Sequence, residues 1–525
     1  MYNCRAFIVR LMALSLHAPL GLAAAPDHWR QAGADALQQA LARRWQGGHA
    51  SNVILFLGDG MGPSTVTAAR ILAGQQRGET GEENQLAFER LPFLGMARTY
   101  NTNQQVPDSA GTMTAIMTGV KTRAGLISVD ERALRGDCAG SRGRELPTLL
   151  EQFEQAGRAT GVVTTARLTH ATPAATYAHA PDRDWEDDSL TPAAAREQGC
   201  RDIAQQLIAL PQGDGLEVAL GGGRRGFLPR RAADPEYPGS RGARQDGRDL
   251  TREWLTTRTG AAYVWNRRQL AAIDPDRVEH LLGLFEPSHM QYESDRAQDG
   301  AGEPSLSEMT RLAIRILRRN PRGFFLMVEG GRIDHGHHAG NAYRALQETI
   351  EFARAVSVAL QDTDSSETLI VVTADHSHVL TLGGYPTRGN PILGKVVEND
   401  AHGEPEKHPA LDARGMPYTT VGYINGPGFA IDVDPDTREK LPPAAGRRQL
   451  AAIDTAHPNF YQESLVPLSG ETHGGEDVAI YASGPWAHLF QRSEEQSYIY
   501  QVMVHASLGQ TPAPAGAASR SATPE

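Results

Sequence analysis

Between residues 329 and 342 the chain reads EGGRIDHGHHAGNA, which sets a glutamate, an aspartate and three histidines within ten positions. The stretch follows directly on PRGFFLMV, an apolar run ending at Val328. Either the chain turns at the surface there, or these side chains serve a cation. Residues of the same kind recur beside other apolar runs. Asp59 follows NVILFLG, Asp375 and His376 follow ETLIVVTA, His170 and Thr172 lie beyond TGVVTTA, and His473 stands just before a run in GETHGGEDVAIY. Singly each has a bland reading, Asp59 as a turn residue and His473 as a surface histidine. In an open α/β sheet, however, ligands bind beyond the carboxyl ends of the strands, and four such runs bring carboxylate, imidazole or hydroxyl to one edge. Imidazole with carboxylate suits zinc, and carboxylates with a hydroxyl oxygen suit magnesium. Asp59, with two carboxylate oxygens, is able to bridge two sites.

A nucleophile candidate lies in VPDSAGTMTAIMTG (106–119), where Ser109 marks the change from an extended segment to a small-residue helix. Helix N–H groups point toward such a position, and a zinc ion can stabilise a serine alkoxide without a neighbouring histidine in sequence. Serine at that place is also a common helix cap.

These side chains need a rigid edge. The runs 52–58, 160–166, 216–222, 323–330, 367–375 and 478–484 have strand length and are rich in β-branched residues or Phe. Between them lie helical patterns, among them 306–319, where Leu306, Met309, Ala313 and Ile316 share a face, and 342–360. Continuous apolar strands alternating with amphipathic helices predict an α/β fold, a mainly parallel central sheet covered by helices on both faces. Residues 385–447 break the rhythm, being rich in Gly, Pro and charge, and read as an insertion or small subdomain. The stretch 511–525 is low in complexity and reads as a disordered tail.

The 525 residues, 40% hydrophobic and 22% charged, place the chain among globular proteins. Residues 1–24 have the form of an export signal, with Arg5 and Arg10 before an apolar stretch and small residues at its end. A membrane anchor is disfavoured by the shortness of that stretch and by His17 and Pro19 within it. Cleavage after Ala24 removes two arginines and no acid, taking the formal charge from −11 to −13. That balance argues against a nucleic-acid partner, and no later segment resembles a membrane span. The mature domain, 25–510, is expected to be exported, either periplasmic or secreted. Cys138 and Cys200 are then the only cysteines left. In an oxidising compartment one disulfide is the economical reading, two unpaired thiols the other. By chain entropy such a loop contributes roughly 4 kcal/mol.

Taken together, DGMG, PDSAGTMTA, HATPAATYAH, EGGRIDHGHH, TADHSH and ETHGGEDVA resemble alkaline phosphatase. His335 after Asp334, where the enterobacterial form has Lys, aligns the chain with the animal-type variant. The resemblance spans the mature chain in order. It implies a first zinc on Asp334, His338 and His473, a second on Asp59, Asp375 and His376, and magnesium on Asp59, Thr172 and Glu329. It makes Ser109 the phosphorylated nucleophile and Arg183, in YAHAPDRDW, the phosphate clamp, with His170 and His335 outside the ligand shell. It also implies a Cys138–Cys200 disulfide, a crown insertion at 385–447, a homodimer, and hydrolysis of a broad range of phosphate monoesters. The stretches 231–240, 284–296 and 302–308 resemble the region where animal-type members bind calcium. The matching positions are Glu236, the Phe285 carbonyl, Glu286 and Glu303, where the family has Asp. A solvated acidic surface is the alternative there. Rival functions are a phosphodiesterase or sulfatase with the same metal pair, or a non-catalytic exported metal- or phosphate-binding protein.

Overall fold

The computed structural model describes residues 26–429 and 447–509, so the expected signal and tail lie outside the described residues. The helix Pro26–Ala42 belongs to a separate unit ending at Arg44. The second unit, from Trp45, contains the strands β1 (Asn52–Gly58), β2 (Phe93–Arg98), β3 (Ala159–Arg167), β4 (Val218–Gly222), β5 (Ala261–Val264), β6 (His280–Leu284), β7 (Phe324–Gly330) and β8 (Thr368–Ala374). It continues with β9 (Ser377–His378), β10 (Leu380–Leu382), β11 (Val421–Gly426), β12 (Ser464–Pro467), β13 (His473–Gly474), β14 (Val478–Ser483) and β15 (Ser493–Glu495). Ten of them form one sheet in the order β15-β2-β14-β8-β1-β7-β3-β4-β6-β5.

From β8 to β5 every pairing is parallel, whereas β14 runs antiparallel to both β8 and β2. The four central strands β8, β1, β7 and β3 are almost wholly buried, as continuous apolar runs require. Both faces are covered. Phe325 stands level with Val53, so Phe56 points to the opposite face. Phe325 meets Phe153 of the helix Leu149–Gln155 at 5.6 Å, and Phe56 meets Phe352 of the helix Ala342–Asp362 edge-on at 5.9 Å. The helix Leu306–Leu317 starts at a capping box, Ser305 with Glu308, and buries Leu306, Met309, Ala313 and Ile316.

The sequence runs correspond to β1, β3, β4, β7, β8 and β14. Strands β2, β5, β6 and β15 were not anticipated. Three of these are five residues or shorter, and β2 alternates exposed and buried positions around Gly95. The stretch 385–447 contributes β11 to a three-stranded sheet whose other strands, β10 and β12, lie outside it.

Candidate active site

Parallel register sets the carboxyl ends of the central strands at one level. Gly58 pairs with Gly330 and with Ala374, and Thr164 pairs with Glu329. Asp59 and Asp375, each one residue past its strand, and Glu329 inside β7 therefore meet beyond the same edge. Gly60 turns the chain away from Asp59 with φ +69°, and its amide donates to Asp375 Oδ1 at 3.1 Å. A Cβ there would lie 2.3 Å from the His378 ring, so only glycine fits.

One group gathers Asp334, His338 and His473. The helix Arg332–His338 places Asp334 and His338 one turn apart, with His338 Nε2 3.2 Å from Asp334 Oδ1. His473 arrives from β13, paired antiparallel with β9, and sets Nε2 3.4 Å from the same oxygen. His338 Nδ1 donates to the Glu471 carbonyl at 2.5 Å and His473 Nδ1 to the Pro107 carbonyl at 2.7 Å. With each Nδ1 so engaged, the two Nε2 atoms face each other across 3.1 Å, both turned toward Asp334 Oδ1. Such a contact calls for a cation between them. Burial raises the Asp334 carboxyl, but His338, His378 and His473 outweigh it and hold the group well below the usual range.

A second group joins Asp59, Asp375 and His376, all fully buried. His376 Nε2 lies 3.4 Å from Asp59 Oδ1 and 3.3 Å from Asp375 Oδ2, and burial holds this imidazole neutral. Ser109 Oγ stands 3.1 Å from the same nitrogen. Ser109 opens the helix Ser109–Thr118, but the capping reading does not apply to it. Asp108 is the cap, accepting from the Gly111 amide at 3.1 Å.

Asp59 is also shared with a third group. Thr172 Oγ1 donates to Asp59 Oδ2 at 3.5 Å, and Glu329 accepts from Thr164. Asp59 Oδ1 and Glu329 Oε1 are buried without a hydrogen-bond partner. Burial and the neighbouring carboxylates push Asp59 well up and Glu329 up to about 8. Acids so placed ionise together only around a countercharge, so the donor set fits bound cations. His170, expected outside the ligand shell, has a ring nitrogen within 4.8 Å of Asp59 and Glu329 ligand atoms.

Arg183 faces this edge, with Nη1 donating to Asp108 Oδ2 at 3.3 Å and Nη2 3.2 Å from His170 Nε2. His335 sits behind Asp334, 4.0 Å away, beside Arg332. Sequence reasoning missed His378, which bridges Asp334 Oδ1 at 2.8 Å and Glu471 Oε2 at 2.5 Å. Burial opposes its charge, but Glu471 and Asp334 push it up to about 10. It also missed His289, whose ring centre lies 4.1 Å from that of His335 at a 58° tilt and whose Nδ1 accepts from the Arg167 amide. The two-residue spacing of His376 and His378 on an extended segment was a usable signal for the first.

Farther along the same carboxyl edge, past the end of β6, oxygens of Glu236, Glu286 and Asp299 lie within 4.8 Å of one another. Asp299 was not anticipated. Glu303 is 1% exposed, with Oε1 unpartnered, and burial with Glu286 raises it to about 9. Phe285, directly after β6, is buried beside them. Arg224 supplies some countercharge through Glu236 at 3.0 Å.

Acid and imidazole clusters around a buried serine, at the carboxyl edge of a parallel α/β sheet, define a metal-dependent hydrolase. The family model for alkaline phosphatase matches residues 50–508. The tissue-nonspecific isozyme of alkaline phosphatase from Gallus gallus is 47% identical over 95% of this chain and 92% of its own, and that of Homo sapiens 46% identical over 92% and 88%. Among solved structures, the alkaline phosphatase of Thermus thermophilus superposes with a TM-score of 0.61 at 24% identity, covering 90% of this chain and 94% of its own. That of the Antarctic bacterium TAB5 gives 0.56 at 21%, covering 89% and 99%, and shares the fold. The chain belongs to the alkaline phosphatase family and is a metal-dependent phosphomonoesterase. Cys138 and Cys200 form a disulfide.

Proposed function

We propose that the reaction runs through a phosphoserine on Ser109, with two zinc ions and one magnesium ion at the clustered side chains. The observation that carries this reading is Ser109 Oγ itself, buried, relieved of capping by Asp108, and 3.1 Å from His376 Nε2. Asp334, His338 and His473 would hold one zinc, Asp59, Asp375 and His376 the other, and Asp59, Thr172 and Glu329 the magnesium. When bound, these ions supply Lewis-acid stabilisation to the oxygens that attack and leave phosphorus. Ser109 Oγ loses its proton to solvent and forms the new P–O bond as the ester oxygen departs with its electron pair and takes up a proton to become the alcohol. Arg183 pairs its guanidinium with two phosphoryl oxygens, and Asp108 orients that guanidinium. Water then attacks the phosphoserine, releasing inorganic phosphate and restoring the hydroxyl. The purified protein, assayed side by side on a monoester, a diester and a sulfate ester with its metals quantified, is expected to prefer the monoester and carry zinc and magnesium. Preference for either other substrate would overturn the reading.

The region of Glu236, Glu286 and Glu303 is proposed as a calcium site with the Phe285 carbonyl, and Asp299 joins it. All its donors are oxygens, and three of its acids, Glu236, Asp299 and Glu303, hold an unpartnered buried oxygen. A homodimer is proposed as well. Tyr385, 86% exposed, and Leu465, 72% exposed, lie in and beside the 385–447 segment, where a second copy would cover them. Export to the periplasm or beyond agrees with the disulfide. Among the described residues no helix is long and apolar enough to cross a membrane.

A further inference from the structure

The loop that carries Arg183 is built apart from the metal clusters. The cluster side chains stand at strand ends or on the helices directly after them, rooted in the main core, whereas Trp185, two residues after Arg183, packs with Cys138, Ala195 and Cys200 in a small separate core. Two flanks hold the loop. On one side the Arg183 amide donates to the Gly125 carbonyl at 2.9 Å, Ala180 pairs with Ile127, and the Gly136 amide donates to the Pro181 carbonyl at 2.9 Å. Arg135 adds bonds to Asp182 at 3.0 Å and Asp184 at 2.6 Å. On the other side the amides of Ile203 and Ala204 donate to the carbonyls of Trp185 and Glu186 at 2.9 and 3.0 Å.

Each flank also reaches the main core, through Ile127 and Ala180 on one side and Ile203 and Ala204 on the other, but the segments that bear the cysteines are short. The helices nearest the cysteines, Cys138–Ser141 and Ala193–Glu197, have four and five residues. The Arg135 side chain is 47% exposed, and ion pairs so exposed hold little. The covalent tie between the flanks is the bond from Cys138, just past Gly136, to Cys200, just before Ile203.

We propose that the Cys138–Cys200 disulfide is a positioning device for the phosphate clamp. It sets the distance between the two flanks and so fixes where the Arg183 guanidinium stands relative to Asp108 and His170. The inference rests on Arg183 being the clamp, and a four-protein comparison separates the two. In Cys138→Ala/Cys200→Ala, the inhibition constant for inorganic phosphate and the KM for a monoester are expected to rise about tenfold. The kcat should change far less and zinc content should equal that of wild type. Arg183→Ala alone should raise the phosphate constant at least as much, and adding the two cysteine changes to it should raise it no further.

A phosphate constant unmoved in the cysteine variant, or a further rise in the Arg183→Ala background, would overturn the inference while leaving the clamp intact. A phosphate constant unmoved in Arg183→Ala would overturn the clamp and the inference with it. If the cysteine variant does not fold, the folded wild type and Arg183→Ala proteins are treated with a water-soluble phosphine and their thiols counted. The phosphine takes oxygen from water and becomes its oxide, and the two electrons and two protons released open the Sγ–Sγ bond to two thiols. The same pattern of constants is then read, with the same outcomes deciding.

Discussion

Asp108 caps the helix that Ser109 opens and also receives Arg183, so one carboxylate orients both the proposed nucleophile and the proposed clamp. Replacing Ser109 by Ala should therefore lower turnover by on the order of 10³-fold or more, ~4 kcal/mol of barrier, with metal content unchanged. Labelled phosphate trapped at low pH should mark wild type alone, and full activity in the variant would end the mechanism. His378 acts through its neighbours. It bonds the same Asp334 oxygen that faces His338 and His473 while Glu471 holds it, so His378→Ala should loosen the proposed zinc about 10- to 100-fold at the Asp334, His338 and His473 cluster. Dialysis against graded chelator reads this directly, and zinc retained as in wild type would refute it. The proposed ligands were legible because each stands next to an apolar run and has a metal-binding chemistry. His378 had a signature in its spacing from His376, and it was missed. Asp108, Glu471 and His289 were not read as site residues, because a residue that orients another carries no signature of type or spacing. Only the fold reveals which neighbour it touches.

The elements were legible where burial is complete. The strands β1, β3, β7 and β8 are covered on both faces and so read as unbroken apolar runs. The edge strands β5 and β15 have only three or four residues each, too short for period to register, and β14 gave no hint that it runs in reverse. At the opposite end of β3 an acid pair makes a measurable statement. Glu217 accepts from the Thr160 amide at 2.6 Å and Glu154 from the Thr160 hydroxyl. Burial, then mutual repulsion, raises Glu217 to about 9, and burial raises Glu154 to about 7. The folded chain thus binds more protons than the unfolded one between about pH 4.5 and 9, so stability falls as pH rises through that window. Glu217→Gln keeps an acceptor for the Thr160 amide and removes the charge. Its unfolding temperature should match wild type near pH 5 and exceed it near pH 9. Parallel curves for the two proteins would mean the pair costs nothing on ionising.

At the scale of the whole molecule, the proposed calcium site takes Glu236 together with the loop after β6, farther along the carboxyl edge than the catalytic clusters. Millimolar calcium is expected to raise the unfolding temperature of wild type and not of Glu286→Ala, since binding to the folded state alone stabilises it by mass action. Turnover of the variant should change little, and equal calcium stabilisation of both proteins would remove the site. The reversed strand β14 has a different bearing. Because it runs against β8, the segment feeding it passes the catalytic edge and delivers His473 there, near the end of the chain. The first cluster thus waits on a residue made more than four hundred positions after Asp59. A nascent chain emerging from a ribosome or a translocation channel can form most of the parallel sheet and still lack a closed zinc site. The proposed first zinc site would therefore close only once His473 has been made, and a chain cut short before it would lack one of the three proposed ligands.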